Sequence, residues 1–98
     1  MRMNSIDRRA MLLDCALGLA EEEGYMNVTQ RLIARLAGVS LPTLVKHLGT
    51  MEETRTLVVK EAIKRKNLPI ILQAMIAGDK QVHNLDPQIK HMAIEQLR

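Results

Sequence analysis

The chain has 98 residues, a formal net charge of +3, and 47% hydrophobic residues. This length suits one domain, which gains from a partner subunit because a small core buries little surface. A single cysteine, Cys15, excludes an intrachain disulfide and fits a reducing cytoplasm. No apolar run approaches the roughly 20 residues of a membrane span, and no signal peptide follows the charged start. We therefore expect a cytoplasmic protein without a membrane segment.

Apolar residues recur at helical spacing in the first part of the chain. A first helix is predicted over about 7–23, with Asp7 as its N-cap and Gly24 at its end. Thr29 caps a short second helix. Gly38 ends that helix, because glycine adopts the left-handed conformation of a tight turn without steric cost. The inward face of the second helix is predicted to consist of Leu32, Ile33, Leu36 and Ala37.

Further helices follow, each opened by a capping residue or a proline. Ser40 is a good N-cap for a third helix, with Pro42 in its first turn, where a missing N–H costs nothing. A fourth helix is predicted over about 50–66, a fifth over 69–78, and a sixth from 86 toward the C-terminus. No strand-like alternation, internal repeat or low-complexity segment is present. The predicted fold class is all-α with about six helices.

The second and third predicted helices, joined by the glycine-containing sequence AGVS, have the pattern of a helix-turn-helix. Such a unit presents the N-terminal end of its second helix to the DNA major groove. Many helical hairpins use the same turn for packing only. Charge favours the DNA interpretation, because residues 24–51 contain no acid. The positively charged or titratable side chains of that segment are Arg31, Arg35, Lys46 and His47.

The run LLDCALGLAEEEGYMNVTQRLIARLAGVSLPTLVKHLGTMEET resembles the N-terminal DNA-binding domain of the TetR (tetracycline-repressor) family. The resemblance covers about residues 8–65 and implies a three-helix DNA-binding head that contains a helix-turn-helix. Positions that match the family pattern are Gly24, Tyr25, Thr29, Ile33, Ala34, Ala37, Gly38, Val39, Ser40, Thr43, Leu44, His47, Gly49, Thr50, Glu52 and Glu53.

The chain also departs from the TetR pattern. Val45 stands where the family commonly has tyrosine, and Met51 where it often has lysine, so two usual phosphate contacts are missing. Lys46 and Leu48 also replace the family's usual aromatic residues, and Lys46 is expected to take over part of the phosphate contact. Only residues 67–98 follow the fourth helix, which leaves no room for the family's ligand-binding domain. We therefore expect no small-molecule inducer.

The residues predicted to contact DNA lie in the second and third helices or cap the second. Arg31 falls where the family reads a base, and arginine pairs bidentately with guanine; the alternative is a solvent-facing side chain. Thr29 caps its helix, which is compatible with a phosphate contact. Leu41 or Pro42 either contacts a thymine methyl group or only begins the helix, and His47 either contacts DNA or packs internally. The full set is Thr29, Gln30, Arg31, Leu41, Pro42, Thr43, Lys46 and His47.

Assembly is predicted from the last two helices. Residues 1–66 are interpreted as the DNA-binding region and 67–98 as a helical dimerisation region, within one compact domain. A single helix-turn-helix reads few base pairs, so we expect a homodimer on an inverted repeat. The alternative is that these helices only cap the protomer's own core. The predicted interface residues are Leu68, Ile71, Leu72, Met75, Ile76, Ile89, Met92, Ala93 and Leu97.

The sequence thus predicts a sequence-specific regulator of transcription that binds double-stranded DNA as a repressor. Catalysis is not expected: His83 and His91 are eight residues apart, and no carboxylate or cysteine cluster completes a metal site with either. No cofactor-binding motif is present, so no cofactor or metal is expected. The competing function is a protein-interaction module that uses the helical hairpin for packing and the apolar C-terminal helices for a partner.

Overall fold

A computed structural model describes residues 4–97, which form six α-helices and no strand. The predicted all-α class with about six helices is confirmed. Two short 3₁₀ helices, Tyr25–Asn27 and Lys80–Val82, follow the first and fifth α-helices. The α-helices are α1 (Ser5–Glu23), α2 (Gln30–Ala37), α3 (Leu41–Leu48), α4 (Met51–Lys64), α5 (Leu68–Ala77) and α6 (Pro87–Glu95).

Most helix caps follow the sequence prediction. Thr29, Ser40 and Thr50 each accept a hydrogen bond from a backbone N–H in the first turn of α2, α3 and α4. The cap of α1 is different, because Oδ1 of Asn4 accepts a 2.8 Å hydrogen bond from the N–H of Asp7. Asp7 therefore lies inside the first turn instead of capping it. Its negative charge is favourable there with the positive end of the helix dipole.

The core is built around α1, which packs against α2, α3, α4 and α5. One hydrophobic cluster includes buried side chains from all six helices, among them Leu44 of α3, Ile71 of α5 and Ala93 of α6. Residues of α5 and α6 therefore complete the same core that the first four helices begin. The buried residues of α1 in this cluster are Leu12, Ala16, Leu17 and Ala20.

The inward face of α2 differs from the predicted one at Leu36. This side chain is 59% exposed, whereas Ile33 and Ala34 are buried and Ala37 packs against the core. The small side chains of Ala34 and Ala37 let neighbouring helices approach α2 closely. Leu36 lies roughly 100° around the helix from the centre of this buried face. The prediction for Leu36 was therefore wrong, and α2 presents an apolar side chain to solvent.

A second buried cluster surrounds Tyr25, the sole aromatic residue of the chain. The ring packs with Val59, Ala74 and Val82, and its hydroxyl donates a hydrogen bond to the carboxylate of Asp79. Burial, and then the neighbouring Asp79 carboxylate, raise the pKa of the Tyr25 phenol. The phenol therefore stays protonated and joins the start of the helix-turn-helix region to the end of α5.

The turn between α4 and α5 contains a strained residue. Lys66 has a φ of 55°, in the left-handed region that favours glycine. The N–H of Asn67 donates to the carbonyl of Ala62 at 2.8 Å, and the N–H of Lys66 donates to that of Ile63 at 3.1 Å. These two bonds form the helix-ending motif in which glycine is usually found.

Replacing Lys66 with glycine is expected to raise the free energy of unfolding by about 0.5–1 kcal/mol, because glycine adopts this φ without a Cβ penalty. Gly38→Ala is the matched control, because Gly38 ends α2 with a φ of 71° and a Cβ there would meet nothing within 4 Å. That change should lower stability by a similar amount through backbone strain alone. Urea denaturation measures both values; a Lys66→Gly variant less stable than the parent would contradict the strain assignment.

Candidate nucleic-acid interface

The turn between α2 and α3 fixes the two helices as a helix-turn-helix. Gly38 adopts the left-handed conformation, and its N–H donates to the carbonyl of Arg35 at 3.3 Å. The N–H of Val39 reaches back to the carbonyl of Ala34 at 3.0 Å, and Ser40 then begins the next helix as its cap. Val39 also packs against the main core. Hydrogen bonds and apolar packing therefore hold α3 in a fixed orientation on α2.

The start of α2 exposes two of the residues predicted to contact DNA. Oγ1 of Thr29 accepts a hydrogen bond from the N–H of Leu32 at 3.2 Å, which confirms its capping role. The side chain remains exposed. Arg31 is exposed as well, and no carboxylate within residues 4–97 forms an ion pair with it. The Arg31 guanidinium is therefore available to a ligand outside the protein.

Gln30, also predicted to contact DNA, is half-buried and forms hydrogen bonds within the protein. Its Nε2 donates to the carbonyl of Gly49 at 2.6 Å and to Oγ1 of Thr54 at 3.4 Å. Thr54 is fully buried, and its hydroxyl donates in turn to the carbonyl of Leu48 at 3.2 Å. The amide of Gln30 therefore ties the start of α2 to the junction of α3 and α4, a role that the sequence did not indicate, and its DNA contact stays a prediction. Thr54 was not singled out from the sequence, although it shares an i, i+4 stripe with Val58.

Replacing Gln30 with alanine is expected to lower the free energy of unfolding by about 1–2 kcal/mol, because the Gly49 carbonyl and the Thr54 hydroxyl lose a partner. Arg31→Ala is the matched control in the same turn of α2. Because Arg31 is exposed, its loss should change stability by less than about 0.5 kcal/mol. Chemical denaturation measures both. A Gln30→Ala variant of unchanged stability and lowered DNA affinity would contradict the structural role and support the DNA contact.

The exposed face of α3 is largely apolar. Leu41 and Val45 are 40% and 41% exposed, and Pro42 is exposed beside them. Thr43 is half-buried, and its Oγ1 lies 2.8 Å from Oγ of Ser40 in a hydrogen bond. Of the predicted contacts on α3, Lys46 is therefore the one polar side chain that is exposed.

His47 and Lys46 line one surface depression of about 520 Å³ at the end of α3. His47 itself is half-buried. Arg9 of α1 lies on the same depression, and Glu52 of α4 is also part of its wall. Arg9 was not among the residues predicted to bind DNA, because it is distant in sequence from the helix-turn-helix. The fold thus brings a third basic side chain to the end of α3.

Segment 24–51, which contains the helix-turn-helix, has basic residues and no acid. Within residues 4–97, no ion pair occupies Arg31, Arg35 or Lys46. Arg65 differs, because its guanidinium lies 2.6 Å from the carboxylate of Asp14 and also pairs with Glu61. The unpaired cations of the helix-turn-helix leave a positive surface that is suited to an anionic partner.

The predicted dimer surface is smaller than expected. Ile71 and Ala93 have no exposed area and belong to the protomer core, so their placement at an interface needs correction. Leu68, Leu72, Met75 and Ile89 are half-buried against the same core. Ile76 is 72% exposed. The large apolar side chains that α5, α6 and the residues just after them leave exposed are Ile76, Met92, Ile94 and Leu97.

Comparisons with protein-family models, with curated proteins and with solved structures found no match to this chain. Residues 4–97 contain no group of three or more His, Cys, Asp or Glu side chains that could hold a metal ion. Within the same range, no helix combines the length and apolar character needed to cross a membrane.

Proposed function

We propose that this chain is a sequence-specific regulator of transcription that binds double-stranded DNA. One observation carries the proposal: α2 and α3 form a rigid helix-turn-helix whose exposed cations, Arg31 and Lys46 among them, lie in a segment without acids. The major groove admits an α-helix, and the second helix of such a unit enters it. The resemblance to the TetR DNA-binding domain supports the same function.

The regulator is proposed to act as a repressor and as a homodimer on an inverted repeat. Two-fold pairing doubles the DNA site, and the apolar side chains that α5 and α6 leave exposed offer a surface for pairing. Repression then results from covering a promoter. The proposed site of action is the cytoplasm, where the half-buried thiol of Cys15 stays reduced.

A protein-interaction module is the second candidate, and exposed apolar residues favour it. Three apolar side chains are exposed on this hairpin: Leu36 on α2, and Leu41 and Val45 on α3. A protein partner would cover side chains of this kind. The charge of the surrounding surface favours DNA, since a phosphate backbone is attracted to a segment that has cations and no acids.

Salt dependence of binding to random-sequence duplex DNA separates the two candidates. Phosphate neutralisation makes DNA affinity fall steeply with salt concentration, whereas an apolar protein contact does not. Lys46→Ala should reduce the salt slope by about one unit for each DNA-bound copy, if Lys46 contacts a phosphate. Lys60→Ala, which removes an equal charge from the exposed side of α4, should leave the slope unchanged.

Mobility shift over a series of salt concentrations gives both slopes, and circular dichroism confirms that the variants are folded. Failure of the protein to bind any duplex at low salt would contradict the DNA-binding proposal and favour the protein-interaction function. An equal salt dependence of DNA affinity for the parent and Lys46→Ala would show that Lys46 does not contact a phosphate, and would leave the other predicted contacts in place.

A further inference from the structure

The apolar face of α3 limits which bases this helix can read. The exposed side chains of α3 are Leu41, Pro42, Val45 and Lys46. Thr43 is half-buried, and its hydroxyl forms a hydrogen bond with that of Ser40. Lysine is therefore the sole exposed side chain of α3 that carries a hydrogen-bonding group. Leu41 and Val45 lie one helical turn apart, so both side chains project from the same face.

Only one group on the floor of the major groove is apolar. Adenine, guanine and cytosine present hydrogen-bond donors or acceptors there, whereas thymine adds its C5-methyl group. A leucine or valine pressed onto a polar base edge would remove water from that edge without replacing its hydrogen bonds, which is unfavourable. The same side chain on a thymine methyl group buries apolar surface on both partners.

The charge around this apolar pair indicates that DNA covers it. Lys46 follows Val45 directly, and Arg31 lies exposed near the start of α2. Segment 24–51, which contains both helices, has no carboxylate. An apolar pair within a segment that has cations and no acid matches a groove that is lined by phosphates and has methyl groups on its floor.

Resting on the proposed DNA binding, we propose that Leu41 and Val45 read the C5-methyl groups of thymines, so that each half-site contains A·T pairs opposite this turn of α3. Four residues of an α-helix rise about 6 Å. Successive base pairs rise about 3.4 Å. For a helix lying along the groove, the two thymines are therefore about two base-pair steps apart.

A pair of synthetic duplexes tests this assignment without a known operator. One duplex alternates adenine and thymine, which places a thymine at every second step of each strand. The other carries uracil at every thymine, so the two differ in the C5-methyl group alone. Each buried methyl group is worth about fourfold in affinity, so binding to the thymine duplex should be roughly tenfold tighter or more. In a mixed G·C duplex, replacing cytosine with 5-methylcytosine should likewise strengthen binding, because it adds the same methyl group.

Variants assign the effect to residues. Leu41→Ala and Val45→Ala should each lower the thymine-to-uracil affinity ratio by about fourfold. Met26→Ala is the matched control, because Met26 is a comparably exposed apolar side chain of the 3₁₀ helix Tyr25–Asn27, which packs on α1 and α5. The ratio should be unchanged in that variant. Circular dichroism verifies that all three remain helical.

The outcomes separate this inference from the function on which it rests. Tight, salt-dependent binding with equal affinity for the thymine and uracil duplexes would overturn methyl reading and leave DNA binding in place. A thymine preference that persists unchanged in both α3 variants would also overturn the assignment to Leu41 and Val45. Failure to bind any duplex at low salt would overturn the proposed function itself.

Discussion

Replacing Ile76 with lysine is expected to convert the proposed homodimer into a folded monomer. Ile76 is 72% exposed on the last turn of α5, so a lysine there reaches water in the free protomer. A positive charge at this end of a helix is also favourable with the helix dipole. In a dimer interface, the same ammonium group would be desolvated without a partner, at a cost of several kcal/mol.

Loss of the dimer should be accompanied by a loss of DNA affinity. A dimer that contacts both half-sites binds DNA roughly 10²–10⁴-fold more tightly than a monomer that contacts one. Affinity for an inverted-repeat site should therefore fall by that factor. Sedimentation at micromolar concentration gives the oligomeric state. Ile6→Asp serves as the control, because it removes another exposed isoleucine, in the first turn of α1, where an acid is favourable. A parent protein that is monomeric at high concentration would contradict the dimer.

Ile76 and Ile71 differ in burial, although both belong to α5. Ile71 is fully buried in the core cluster that all six helices share. An aspartate there would bury an unpaired carboxyl group and leave a cavity, so Ile71→Asp should unfold the chain and abolish its helical circular dichroism. Loss of the dimer in that variant would say nothing about an interface. Ile76→Lys tests association because it leaves the core intact.

Helices and their caps were largely predictable because their signals are local. Ser40 and Thr50 each accept a hydrogen bond from a backbone N–H three residues later in the chain. Gly38 adopts the left-handed conformation that its position in the sequence indicated. The predicted N-cap of α1 was wrong for an equally local reason. Asn4 and Asp7 are both capping residues, and the sequence does not distinguish a helix that begins one turn earlier.

The side-chain positions that the sequence did not indicate depend on contacts between distant segments. Gln30 turns inward because the α3–α4 junction brings the Gly49 carbonyl to its amide, 19 residues further along the chain. Ile71 and Ile76 both belong to a helix that is apolar nearly all round, so periodicity cannot identify its buried face. The packing of α1, α4 and α6 on α5 decides which isoleucine is left outside.

Arg31→Ala is expected to produce the largest loss of sequence discrimination in the helix-turn-helix. The side chain is exposed near the start of α2, and no ion pair within residues 4–97 occupies its guanidinium. A bidentate pair with guanine contributes about 1–3 kcal/mol of discrimination. The variant should therefore lose that amount on each half-site and relax the preference at one base pair, while keeping its fold.

Arg35→Ala provides the matched comparison, because Arg35 is an exposed arginine one turn later on the same helix. A phosphate contact there weakens binding about equally for all sequences. Selection from a random DNA pool gives the preferred site, and affinities for its single-base variants give the discrimination at each position. If Arg31→Ala keeps the parent's discrimination at every position, its side chain faces solvent in the complex. Base reading would then be confined to α3, where Leu41 and Val45 supply the contacts.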